Sequence, residues 1–242
     1  MKTKKLGTLY FDGKPQEIGG SYNGEKISFG PTVPGKEIKW LKVRGLLVAD
    51  RCLCNNISWD DLNDQGFAFG TIISINNQMY LCRCIKVGAR DDASNEWDKI
   101  VDFVGEKNEY LHFVGMDFWG QEESIFHTNG RACRGITARG WCVNMSDSRR
   151  LDLGWRPILE PLGPTPRTPE ELVGKEIKIC GPEGLSLTGK LVSADEYDLV
   201  LNMVTPLFWS LDEVLEEDCP WLRESDDQAI IDRASVSWVR EV

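Results

Sequence analysis

An α+β fold in two unequal parts, rich in short strands, poor in helices and closing in a small β-barrel, is what this sequence predicts. Three observations predict it. The 242 residues include 23 glycines and nine tryptophans but few apolar repeats at helical spacing, which implies short strands joined by turns with unusual backbone angles. Four prolines fall between Pro161 and Pro169, where fixed φ angles and missing N–H groups disfavour helix and sheet alike. Beyond them, apolar and polar residues alternate in short runs separated by turn residues, at the spacing of a small barrel.

Taken in order, residues 1–44 read as an N-terminal β arm, its short β-rich runs broken at Asp12-Gly13 and Asn23-Gly24, both hairpin turn signals. A larger domain follows over 45–162. Within it, an apolar run from Val43 leads to a helical turn for which Ser58 is the expected N-cap, with Asp60 and Asp61 in the first turn, where the helix dipole favours negative charge. The alternating stretch from Phe69 to Gly88, centred on Asn76-Asn77, predicts a hairpin. Trp97, Ile100, Val101 and Val104 at helical spacing predict a helix capped by Ser94 and stopped by Gly105. A stiff proline-rich linker occupies 163–173. Residues 174–242 then predict a five-stranded SH3-like barrel interrupted by an acidic insertion at 211–227.

The net charge of −10 is unevenly spread: residues 1–44 carry +5, residues 45–169 carry −4 and residues 170–242 carry −11. So acidic a chain is not expected to bind nucleic acid in general, because that needs a basic face. Opposite charge at the two ends points to homo-oligomers. No run of about 18 apolar residues exists and the N-terminus is charged, so neither a membrane span nor a signal peptide is expected and the protein is placed in the cytoplasm. The eight cysteines include the i, i+2 pairs Cys52/Cys54 and Cys82/Cys84, whose thiols share a face if they lie on strands. Buried, reduced thiols are the expectation. Only His112 and His127 could join them at a metal, and the cysteine spacings are not those of a zinc site.

The stretch FVGMDFWGQEES followed by RACRGITARGWCVNMSDSRRLDLGWRPILE resembles the closing half of C-type-lectin-like domains of the formylglycine-generating-enzyme and phage-variable-protein type. Arg139, Gly140, Trp141, Gly154, Trp155, Arg156, Pro157 and Leu159 carry the likeness. Residues 46–162 also resemble uncharacterised phage and mobile-element proteins of gut bacteria, in which a small barrel follows. The resemblance implies a binding face at about residues 117–153, with Asp117, Trp119, Gln121 and Glu122 on one side and Arg134 to Arg149 on the other. The copper oxidases of that type need two cysteines in the closing region. Here Cys142 stands alone, with Cys133 at no matching position, and the related iron enzymes need three histidines. No cofactor, no metal and no catalytic residue are therefore expected.

Six arginines (131, 134, 139, 149, 150 and 156) lie in one stretch with only Asp147 and Asp152 between them. Guanidinium forks match phosphates and stack on aromatic faces, so Trp119, Gln121, Arg131, Arg134, Arg139, Trp141, Arg149 and Arg150 are the expected ligand-binding residues. Trp155, Arg156 and Pro157 are assigned to closing the core. The function expected is a non-catalytic binding protein of a phage or mobile element in the host-cell cytoplasm. In its most concrete form it is a counter-defence protein that sequesters an anionic nucleotide immune signal. The alternative is a module that binds a virion or host protein.

Overall fold

The computed structural model describes residues 1–163, 168–181, 186–206, 222–225 and 228–242. They form a mostly β structure with few helices, in two compact units, Met1–Pro164 and Thr165–Val242.

The first unit holds two six-stranded sheets. In one, β1 (Thr3–Lys5), β6 (Lys39–Val43), β7 (Leu46–Ala49), β15 (Pro157–Gly163), β10 (Gln78–Cys84) and β9 (Thr71–Ile75) lie side by side in that order. In the other, the order is β13 (Trp141–Met145), β12 (Gly130–Gly135), β11 (Asp117–Glu123), β14 (Leu153–Trp155), β8 (Cys54–Asn55) and β4 (Gly20–Ser21). A small third sheet joins β3 (Lys14–Pro15), β2 (Thr8–Phe11) and β5 (Ile27–Gly30).

Side chains alternate across a strand, and the first sheet uses this to serve two cores. Trp40, Leu47, Ala49, Cys82, Cys84 and Leu159 enter one apolar cluster. Leu41, Val43, Val48 and Ile158 enter another, against Trp97, Ile100, Val101 and Val104 of α2 (Glu96–Val104). The N-terminal residues are not a detached arm. Leu6, Leu9, Phe11, Tyr22, Ile27, Ile38 and Trp40 are buried in the first cluster, because β1 adds to β6 and the three-stranded sheet covers what would otherwise be an open apolar face.

Tryptophans fix this irregular frame from within. The indole N–H of Trp40 donates to Leu6 O at 2.9 Å, that of Trp59 to Gly120 O at 3.0 Å, that of Trp97 to Ala138 O at 2.7 Å, and that of Trp119 to Ile57 O at 2.8 Å. Each bond ties a buried ring to the backbone of a distant segment, so the ring supplies apolar area and its polar edge orders a loop.

The local signals act as follows. Ser58 and Asp61 form a reciprocal capping box at the start of α1 (Trp59–Asp64). Asn76 and Asn77 both adopt positive φ, 51° and 62°, the angles a two-residue turn between β9 and β10 requires. α2 is capped by Asn95 rather than Ser94: Asn95 Oδ1 accepts from Asp98 N at 2.8 Å, which starts the helix one residue later than expected. Cys52 and Cys54 do not share a face. Only Cys54 lies on a strand, and the two thiols fall in different clusters. The seven described cysteines are free thiols, all buried except the partly exposed Cys142; Cys219 lies outside the described residues. Gly154 has no alternative, since a Cβ there would stand 2.4 Å from Cys54 O on the paired strand.

Two of the four closely spaced prolines are in regular structure. Pro161 sits within β15, past the two residues that pair with β7, where the strand has a neighbour on one side only and proline is tolerated. Pro169 opens a 3-10 turn, Pro169–Leu172, capped by Thr168. Pro164 and Pro166 lie outside the described residues.

The second unit is one antiparallel sheet in the order β19 (Leu222–Ser225), β20 (Gln228–Asp232), β18 (Asp198–Pro206), β17 (Ser186–Ala194), β16 (Glu176–Cys180), β21 (Trp238–Glu241). Leu172, Ile177, Ile179, Leu191, Leu199, Leu201 and Ile231 fill its core. The sixth strand, β19, lies inside the stretch expected to be an acidic insertion and pairs with β20. The rest of 211–227 is outside the described residues. Glu170 bonds Arg233, and this contact, with backbone donors, holds its carboxyl at about 2. A depressed carboxyl stabilises the fold above the ordinary glutamate range and loses that contribution as pH falls towards 2. By carbon NMR, Glu170 should remain ionised at about pH 3, and Arg233→Gln should return its midpoint towards the ordinary 4.5.

Candidate functional site

The arginine run does not assemble one anion-binding face. Arg134, on β12, has only 1% of its side chain exposed. Its guanidinium donates to Val87 O (3.2 Å), Asp91 O (3.2 Å) and Arg139 O (2.7 Å), and reaches Asp91 Oδ1 at 3.2 Å and Asp98 Oδ2 at 3.6 Å. Every direction of its fork is taken, which makes it a cross-link between β12, the loop before α2 and the turn at Arg139. Trp119 is fully buried and Gln121 nearly so, because β11 is a central strand of its sheet. These three expected ligand-binding residues belong to the frame.

The exposed arginines each have a carboxylate partner. Arg139 lies 2.6 Å from Asp102, 2.7 Å from Glu106 and 3.4 Å from Asp98, all three acids on or just past α2. Arg149 is bidentate to Asp61 at 2.6 and 2.9 Å, and Arg150 to Asp152 at 2.6 and 2.8 Å. Arg131 stacks over Trp59, its guanidinium carbon 3.7 Å from the ring centre. Trp141 is partly exposed, donates to Gly88 O at 3.0 Å and meets Phe126 edge-on at 6.0 Å. Arg156 is fully buried between Trp97 and Phe118, 5.1 and 4.9 Å from their rings, and donates to His112 O.

A different concavity is the better candidate. A groove of about 780 Å³ opens between α1, the edge strand β5 and the edge strand β9. The partly exposed Phe29 gives it an apolar face, with the buried Phe67 behind, Gln65, Ser28, Thr71 and Ser74 give it hydrogen-bonding groups, and Lys26, Glu25 and Asp64 bring charge. Gln65 is fixed, its Oε1 accepting from Ile27 N at 2.7 Å and its Nε2 donating to Tyr22 Oη at 3.0 Å. Asp61 also lines the groove. Burial alone would raise its carboxyl, but donors from Arg149 and Ser58 hold it below the ordinary range. Tyr22 is pushed up, by burial first and then by the charge of Asp61. Of the eight expected residues, Arg149 is brought to this groove, through Asp61.

The sequence gives no local sign of this site. Its walls come from the N-terminal segment, from α1 and from β9, whose side chains carry no motif and meet only in the fold. A second juxtaposition was equally hidden. Cys142 was expected to stand alone, yet Cys133 is its direct cross-strand partner on β12 and β13, and Asn144 Nδ2 lies 3.4 Å from Cys133 Sγ and 3.8 Å from Cys142 Sγ. Among the described residues no group of three or more His, Cys, Asp or Glu side chains is placed to hold a metal ion. No described helix is long and apolar enough to cross a membrane. No protein-family model matches the chain, and no curated protein matches it.

Proposed function

We propose that this is a non-catalytic ligand-binding protein, a lectin-like frame followed by an SH3-like barrel, whose site is the groove between α1, β5 and β9. The groove itself is the observation that supports it. Its volume suits a small ligand, an aromatic face meets a fixed amide and several hydroxyls, and such a lining takes a planar ring with a hydrogen-bonding edge. Sequestration of an anionic nucleotide signal is the version in which Lys26 and Arg149 take the phosphate. Glu25, Asp61 and Asp64 act against it, so phosphate must release Arg149 from Asp61. Exposed ion pairs contribute only about 0–1 kcal/mol, which leaves that exchange open to a doubly charged group. The likeness to phage and mobile-element proteins supports a role in the host-cell cytoplasm, and opposite charge at the two ends of the chain supports self-association.

A partner protein is the second reading, favoured by Ile125 and Phe126, each 61% exposed, with Phe126 against the partly exposed Trp141.

Thermal-shift measurements on the full chain with cyclic and ADP-ribose-type nucleotides and uncharged aromatic heterocycles test the groove. A ligand at about a hundred times its Kd should add about 2.7 kcal/mol, a rise of roughly 5–10 °C. Ser74→Trp should remove the shift and Arg139→Gln should keep it. The reverse pattern would move the site to the α2 side of the arginine run, and no shift across the panel would leave the reading without its ligand. Oxygen uptake with a thiol substrate by copper-loaded protein would overturn the non-catalytic assignment.

A further inference from the structure

We propose that Cys133 and Cys142 form a dithiol site that reacts with small disulfides of the glutathione type, Cys142 attacking and Cys133 closing an intrachain disulfide. The site is separate from the groove and does not depend on it.

Register carries the argument. Cys133 and Cys142 are directly opposite on antiparallel strands, which places their Cα atoms about 4.5–5.5 Å apart, inside the range of about 4.4–6.8 Å that a disulfide spans. One donor also reaches both sulfurs, the Nδ2 of Asn144 standing 3.4 Å from Cys133 Sγ and 3.8 Å from Cys142 Sγ. An amide donor on sulfur favours the thiolate.

Access sets the order of events. Cys142 is the one partly exposed cysteine residue of the seven described, at the margin of the first core cluster; Cys52, Cys54, Cys82, Cys84 and Cys180 are buried. Cys133 lies behind it, and burial pushes its thiol well above the ordinary range.

The chemistry balances as an exchange. The Cys142 thiol loses its proton to water as its sulfur bonds to one sulfur of the small disulfide. That S–S bond breaks, and the leaving thiolate takes the proton. Cys133 then loses its proton to water and attacks Cys142 Sγ, releasing the second thiolate, which is protonated from water. Two protein thiols are oxidised to one disulfide, and one small disulfide is reduced to two thiols. The product joins the edge strand β13 covalently to β12.

Native full-length protein incubated with glutathione disulfide should lose the mass of two hydrogens, and peptide mapping should find Cys133 linked to Cys142. Cys133→Ser should stop at one glutathione on Cys142, and Cys142→Ser should take up none. Cys133→Ala serves in place of Cys133→Ser if a hydroxyl at that buried position prevents folding. Retention of all thiols by the native protein, a link between any other pair, or failure of both Cys133 variants to trap the adduct would each overturn the proposal.

Discussion

Arg83→Met should be the most destabilising polar substitution in the first unit, lowering stability by about 3–5 kcal/mol and Tm by roughly 6–20 °C. Arg83 sits on β10 with 8% of its side chain exposed. It bonds Glu160 on the neighbouring β15 at 2.6 and 2.7 Å, and it bonds Glu96, in the first turn of α2, at 2.9 Å through two nitrogens. Burial works against its charge, but the bonds and fields of Glu96 and Glu160 win and raise its affinity for the proton. Methionine would fill much of the volume while leaving two carboxylates, 19% and 12% exposed, with no cation between them. The cost comes from those two charges rather than from the lost guanidinium. The triple variant Arg83→Met, Glu96→Gln, Glu160→Gln should therefore recover most of the loss in a urea melt. If it is no more stable than Arg83→Met alone, the charges are not the cause.

Arg134→Gln should cost about 2–4 kcal/mol, whereas Arg149→Gln and Arg150→Gln should each change stability by about 1 kcal/mol or less. The three arginines look alike in sequence, and the fold separates them. Arg134 satisfies three backbone carbonyls from inside the protein, so its loss leaves Val87 O, Asp91 O and Arg139 O without their donor. Arg149 and Arg150 are 53% and 48% exposed, and water replaces their bonds. Calorimetry of the three variants decides this directly: equal, small effects would place Arg134 on the surface as a binding residue after all.

That contrast shows what the sequence could and could not disclose. The capping box at Ser58, the Asn76-Asn77 turn, the apolar stripe of α2 and its Gly105 stop were all legible, because each depends on residues a few positions apart. The mixed, mostly β character was legible for the same reason. The integration of residues 1–44 was not, since short polar-looking runs reveal nothing about a sheet whose strands beyond that segment come from 46–49, 71–84 and 157–163. The arginine run misled because a dense patch of one charge suggests a shared ligand, while most of the acids that neutralise it, Asp61, Asp98, Asp102 and Glu106, lie 33 to 88 residues away in sequence. The facing of Cys133 and Cys142 needed a strand register that no spacing rule supplies.

β15 occupies the middle of its sheet, between β7 and β10, although it ends the first unit in sequence. During synthesis, everything from Met1 to Trp155 emerges before the strand that will unite the two halves of that layer. Until it arrives, β7 and β10 are open edges that can pair with other chains, and long-range closure is slow. Growth conditions that delay translation downstream of residue 155 should then increase capture of the nascent chain by holdase chaperones.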